Sequence, residues 1–286
     1  MKALIIEYID KLDNLPALPE VSMQILKDMQ NPEISLNAAV QSLKKDPSLV
    51  MRIMKVANSA RYGGAMKVTA LEVAAGRLGM SMIRQLVLID GVMNLFPPSR
   101  GGYETKKYWE HSLTTAILAE NIVSKVSRKV NFPLPKKIEC FTAGVLHGIG
   151  ILILEMGFPK ATYLVAEHVN EKGLTIQDAE MEVLGITNQE CGESLSKFWS
   201  LPPLITDAIR WHHTPEHSPD ESRTLCEIVY IAKYIANHQD KNVSVFNPGS
   251  MAFQPEVFSR YGLQALSTQE LTDMANEALE NAISIL

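Results

Sequence analysis

The sequence predicts an all-α fold, a two-lobed helical bundle. Apolar positions recur at helical spacing along most of the 286 residues, and several helix starts are explicit. No run of alternating apolar and β-branched residues is bounded by hairpin turns. With 46% hydrophobic and 21% charged residues, the chain carries enough apolar surface to bury a substantial core.

The elements follow in order. Ser35 is placed to cap a helix through Leu43, and Asp46 before Pro47 opens a helix carrying Leu49, Val50, Ile53, Met54 and Val56. Thr69 precedes a helix over residues 71–78, and Leu78-Gly79-Met80-Ser81 joins it to a second, with Ser81 as its cap. Two prolines and two glycines in Phe96-Pro97-Pro98-Ser99-Arg100-Gly101-Gly102 exclude a continuing helix, which sets an N-terminal lobe at residues 1–98. The second lobe, residues 99–240, begins with a long helix over 106–127 and a turn at Pro133 and Pro135. A helix containing His147 follows, then helices near 159–171, 175–185, 189–199, 203–213 and 222–238. Residues 241–286 form a loop and a C-terminal helix. The polar stretch 239–262 holds Pro248, Gly249, Pro255 and Gly262, and from about Thr268 the positions Leu271, Met274, Ala278, Leu279 and Ile283 share one face.

Bulk properties exclude several classes. The net charge is −5 and no Lys/Arg block reaches five residues, so nucleic acid is not an expected partner. Apolar runs are interrupted before the 18 residues a membrane span needs, and residues 1–15 lack the basic flank and cleavage site of an export signal, which predicts a cytoplasmic chain without membrane contact. The cysteines Cys140, Cys191 and Cys226 are odd in number and share no CxxC spacing, so they read as small core residues. The thirteen methionines read as adaptable packing. No GxxxxGK[ST], GxSxG or HExxH occurs. The two helices over 69–93 have the outline of a helix-turn-helix, but only Arg84 and Gln85 of the second are available to read base edges, which favours packing within the lobe.

Four of the seven histidines stand out: His111 early in the long helix, His147 in another, and the adjacent His212-His213 at the end of a third. Histidines on scattered helices are a usual source of bundle-core metal ligands, although the arrangement alone is a weak signal.

The flanking fragments, in one order over roughly residues 12–238, resemble the HDOD family, a branch of the HD superfamily of metal-dependent phosphohydrolases. They are Leu15-Pro16-Ala17-Leu18-Pro19, Asp46-Pro47-Ser48-Leu49, Val56-Ala57-Asn58-Ser59-Ala60, and Val68-Thr69-Ala70-Leu71-Glu72-Val73-Ala74 running into Arg77-Leu78-Gly79. The second lobe adds Trp109-Glu110-His111-Ser112, Gly144-Val145-Leu146-His147-Gly148-Ile149-Gly150, and Trp199-Ser200-Leu201-Pro202 leading to Ile209-Arg210-Trp211-His212-His213.

The resemblance implies an HD-like bundle in which histidines and carboxylates from several helices would hold a divalent ion that activates water. This sequence departs from that pattern. The aspartate expected after the second histidine is Gly148, a further histidine position is Asn188, and the late helical aspartate is Lys233. Replacing two carboxylates by a glycine and a lysine moves the site by roughly three charges toward positive, and each unit pair about 5 Å apart contributes about 3 kcal/mol at an effective dielectric near 20. No catalytic residue, cofactor or metal is therefore expected; were an ion held, His111, His147, His212 and His213 would hold it. Lys233 shares a helix side with Val229, Ala232 and Ala236 and is expected to point inward, where with His147 it would receive a small anionic ligand.

The expected function is a noncatalytic bacterial signal-transduction module acting through protein partners. A divergent metal-dependent phosphohydrolase or phosphodiesterase is the alternative, and a DNA-binding regulator the second alternative. Lacking an appended sensor, the chain is expected to take its signal through its own pocket, its tail or a separate partner.

Overall fold

The computed structural model describes residues 1–10, 22, 35–59, 62–64, 66–96, 105–127, 129–238 and 253–286. Among them helices are the only regular structure. The motif at residues 15–19, the break at 97–102 and the loop over 239–252 lie outside the described residues. The chain divides into two compact units, residues 1–15 with 98–279, and residues 16–97 with 280–286.

In the smaller unit, helices α2 (Leu36–Leu43) and α3 (Pro47–Ala57) start where the sequence places them. Ser35 Oγ accepts from Ala38 N at 3.1 Å, and Asp46 Oδ1 accepts from Ser48 N at 3.0 Å and Leu49 N at 3.2 Å, so each side chain satisfies amides the first helical turn leaves open. Asn58 explains its motif. Its Nδ2 donates to Met54 O and Val68 O, both at 2.9 Å, and its Oδ1 accepts from Val68 N at 2.7 Å, pinning the strandless connection to the end of α3. Arg77 closes the same connection by donating to Ala57 O and Met66 O.

Helix α4 (Leu71–Leu95) is interrupted at Gly79, where φ of 76° and ψ of 161° break the helical path, so the expected two-helix junction falls at its glycine. The helix begins after Ala70 rather than Thr69, with no side-chain cap. Beyond the break, Ile83, Gln85, Leu86, Val87 and Ile89 are buried, so Gln85 is turned into the lobe and away from any nucleic acid. Asp90 is buried beside Arg52, whose Nε lies 2.9 Å from Oδ1.

The larger unit is built around α5 (Thr105–Val126), which packs on α6 (Lys137–Leu146) and on α12 (Asp220–Ala236). Gly144 lets α5 and α6 approach, because a Cβ there would collide with the backbone of Ala116. Helix α7 (Ile149–Gly157) packs on α10 (Asn188–Phe198) in the same way, and a Cβ on Gly150 would strike the carbonyl of Asn188. Helices α8 (Pro159–Lys172) and α9 (Ile176–Val183) pair beside them. Helix α11 (Pro203–Trp211) and a 3₁₀ turn (Pro215–His217) lead into α12. At the N-terminus α1 (Lys2–Asp10) lies on α7 and α10, with the Tyr8 ring edge-on to Phe158 at 5.4 Å.

Three boundaries differ from expectation. His147 is not inside a helix: α6 ends at Leu146, His147 is its C-cap, and Gly148 precedes α7. Helix α11 stops at Trp211, leaving His212 as its C-cap. Within the expected loop over 239–262, residues Pro255–Arg260 form α13, started by Pro255 at its first turn and followed by Gly262 at φ of 64°; α14 then spans Thr268–Ile285. Two stretches, Leu71–Leu95 and Lys137–Gly157, are apolar and long enough for a membrane span by composition, but Gly79 breaks the first and the His147-Gly148 turn the second, which is 78% buried.

Candidate functional site

Two histidines are set by the same local device. His147 and His212 each end a helix and each places Nδ1 on the carbonyl three residues back, Gly144 O at 2.7 Å and Ile209 O at 2.8 Å. A carbonyl only accepts, so Nδ1 carries the proton in both rings and Nε2 presents a lone pair. The last carbonyls of a helix lack intrahelical donors, and here the imidazoles supply them.

These rings join a chain of four. The His111 and His147 centroids are 5.5 Å apart, His147 and His212 are 5.0 Å apart, and His212 and His213 are 4.5 Å apart. At the end of the chain His213 Nε2 lies 2.6 Å from Lys233 Nζ. In its ammonium form Lys233 only donates, and it then takes up this lone pair. Lys233 is 5% exposed, on the inward side of α12.

One participant has no counterpart in the sequence reading. Glu180, on α9, is 3% exposed and accepts from Asn188 N and, through both carboxylate oxygens, from Asn188 Nδ2, all at 2.9 Å. Its carboxylate thus sits at the N-terminal end of α10, where unpaired amides and the helix dipole favour negative charge. The signal available for it is spacing: Glu180 falls four residues before the buried Leu184 on an amphipathic helix.

Electrostatics follow from enclosure. Burial, aided by the Lys233 charge, presses His111 down to about 3 and holds His147, His212 and His213 well below the usual imidazole range, so all four are neutral near pH 7. Burial lowers Lys233 to about 7, opposed by the attraction of Glu180. Burial raises Glu180 to about 7, opposed by the Asn188 hydrogen bonds and by Lys233. The two ionisable groups offset each other inside the bundle.

The remaining family positions are also placed. Gly148 faces Tyr108, whose Cε2 would lie 3.4 Å from an added Cβ. Asn188 Oδ1 and His212 Nε2 are buried acceptors without a hydrogen-bond partner among the described residues.

These residues do not fit a divalent ion. Among the described residues no three His, Cys, Asp or Glu side chains converge closely enough to share one. The carboxylate within electrostatic reach is engaged by Asn188, and a lysine amine occupies one imidazole lone pair. Hard ions need carboxylate charge that this cluster does not offer.

Comparison with known proteins places the fold. A crystal structure of an HDOD domain protein of unknown function from Geobacter sulfurreducens is 24% identical, with a TM-score of 0.73, 96% of this chain and 87% of that one being covered. A candidate phosphohydrolase from Shewanella amazonensis SB2B is 23% identical, with a TM-score of 0.75, covering 100% and 99%. A Treponema pallidum (strain Nichols) protein without an assigned role is 23% identical over 223 residues, which is 78% of this chain and 42% of that protein, so the chain spans less than half the length of this curated relative. The HDOD domain model matches residues 15–215, which include residues 16–97 of the smaller unit and all four histidines of the cluster, and the chain belongs to the HDOD family.

Proposed function

We propose that this chain is a noncatalytic signal-transduction module that acts through contacts with protein partners in the cytoplasm, and that its histidine cluster is a structural remnant in which Lys233 and Glu180 replace an ion. One observation carries the reading: Lys233 Nζ lies 2.6 Å from His213 Nε2, where it takes up an imidazole lone pair that a metal would need. The amine and the Glu180 carboxylate balance each other, so the cluster needs no external counter-ion and no small anion at Lys233.

The test is metal content and turnover on the same preparation. Protein purified without chelator from medium supplemented with manganese, iron and zinc is expected to carry well under one equivalent of metal. It is also expected to hydrolyse bis(p-nitrophenyl) phosphate no faster than the buffer blank. A stoichiometric, tightly held ion with phosphoester turnover would sink the proposal in favour of a divergent phosphohydrolase. A salt-dependent shift of duplex DNA would favour a nucleic-acid regulator instead, against the burial of Gln85.

A further inference from the structure

Helix α12 carries Lys233 toward the cluster and a different face toward the C-terminal segment 253–263. There Phe258 packs edge-on to Tyr234 at 5.3 Å and to Tyr230 at 6.4 Å, while Phe253 lies 5.3 Å from Tyr234. Glu227, 6% exposed, is met by this segment: Tyr261 Oη donates to Oε2 at 2.6 Å and Arg260 Nη1 to Oε1 at 3.1 Å. Burying that carboxylate is tolerable only while both donors are in place.

Gln254 adds a second attachment. Its backbone N donates to Tyr230 Oη on α12 at 3.0 Å, and its side-chain Nε2 reaches Glu216 Oε2, in the 3₁₀ turn just after His213, at 3.4 Å. Arg223 ties the same turn to α12 by donating to Pro215 O, Glu216 O and Ser218 O. Lys233 lies three residues beyond Tyr230 on α12, and His213 lies two residues before the 3₁₀ turn, so Gln254 and the Lys233–His213 contact join neighbouring parts of the same two chain segments.

We propose that residues 253–263 form a strap whose seating on α12 is coupled to the Lys233–His213 contact, so that a change in the buried cluster is transmitted to the C-terminal face. The coupling runs both ways, because a free-energy coupling between two sites is reciprocal. It does not depend on whether the cluster is catalytic, so metal content and turnover leave it untouched.

Hydrogen–deuterium exchange on the full chain tests it. In Lys233→Met and in His213→Gln, peptides covering 253–263 are expected to exchange at least about fivefold faster than in wild type, with α6 unchanged. In the shape-conserving variants Glu227→Gln and Tyr261→Phe, which free the strap, peptides covering 212–218 and 233–236 should respond likewise. Unchanged exchange in either direction overturns the proposal. So does acceleration that includes α6 to the same degree, which marks general loosening rather than coupling; the Gln and Phe variants keep the test available if Lys233→Met folds poorly.

Discussion

Lys233 on α12 and Glu180 on α9 act on each other inside the larger unit: burial brings Lys233 down and Glu180 up, each to about 7, and the charge of each opposes that shift in the other, with the Asn188 hydrogen bonds helping to hold Glu180 down. The pairing sets one carboxylate within electrostatic reach of the buried Lys233 in a chain that has glycine and lysine where the family resemblance implies aspartates at 148 and 233.

Gly148→Asp, Asn188→His and Lys233→Asp combined should create a divalent-ion site. The backbone at 148 has room for a Cβ, the nearest atom being Tyr108 Cε2 at 3.4 Å. The change moves the cluster by roughly three charges toward negative, each unit pair near 5 Å being worth about 3 kcal/mol. Mass spectrometry of dialysed protein is expected to find about one bound manganese or iron per triple-variant chain and a trace in wild type; equal content in both contradicts the charge argument.

Acid should unfold the protein steeply below neutrality. Histidines that stay neutral when folded but protonate when unfolded give the unfolded state the greater proton uptake, so stability is present above about pH 6.5 and is lost as pH falls. His147 and His212, both almost fully enclosed, together give a slope of up to about 2.7 kcal/mol per pH unit. Glu180 works against them, because its raised value makes the folded state bind the extra proton between about 4.5 and 7. Urea midpoints at pH 7, 6 and 5 should fall in wild type and fall less in His147→Gln/His212→Gln.

Asn58→Ala should destabilise the smaller unit by about 2 to 3 kcal/mol, since it removes three hydrogen bonds and leaves Val68 N and two carbonyls to find other partners. Asp46→Ala, which removes only a helix cap, should cost about 1 kcal/mol. Thermal denaturation that ranks the two in the opposite order would show that the 59–68 connection does not rely on Asn58.

Gly150→Ala should be the most damaging single methyl, costing about 3 kcal/mol or more, because the added carbon meets the rigid Asn188 carbonyl rather than a side chain that can swing away. The shift would carry Asn188 from Glu180. Near-ultraviolet circular dichroism and a urea titration on the purified variant would register it, and wild-type behaviour would contradict the packing described.

Much of the fold was legible in the sequence, for reasons tied to particular residues. Ser35, Asp46 and Gly79 act through their immediate neighbours, so their roles could be read locally. Lys233 was placed inward by its helical neighbours Val229, Ala232 and Ala236, and it lies there. Glu180 was missed because its partner sits on the next helix, and the pairing exists only once Gly185, at φ of 72°, turns the chain back. The sequence pattern puts His147 inside a helix rather than at its end, because a ring that bonds its own helix's last turn leaves no mark in the periodicity.

The capping bonds of His147 and His212 have a consequence for how such a centre changes with time. Ring direction is dictated by the ends of two helices, not by whatever the rings surround. Rings aimed by the scaffold keep their aim whatever they surround, so a few charge-altering replacements nearby can change what the cluster holds without refolding the bundle. On the proposed noncatalytic reading, whether the cluster holds an ion turns on the side chains at 148, 188 and 233 rather than on the helices that aim the rings.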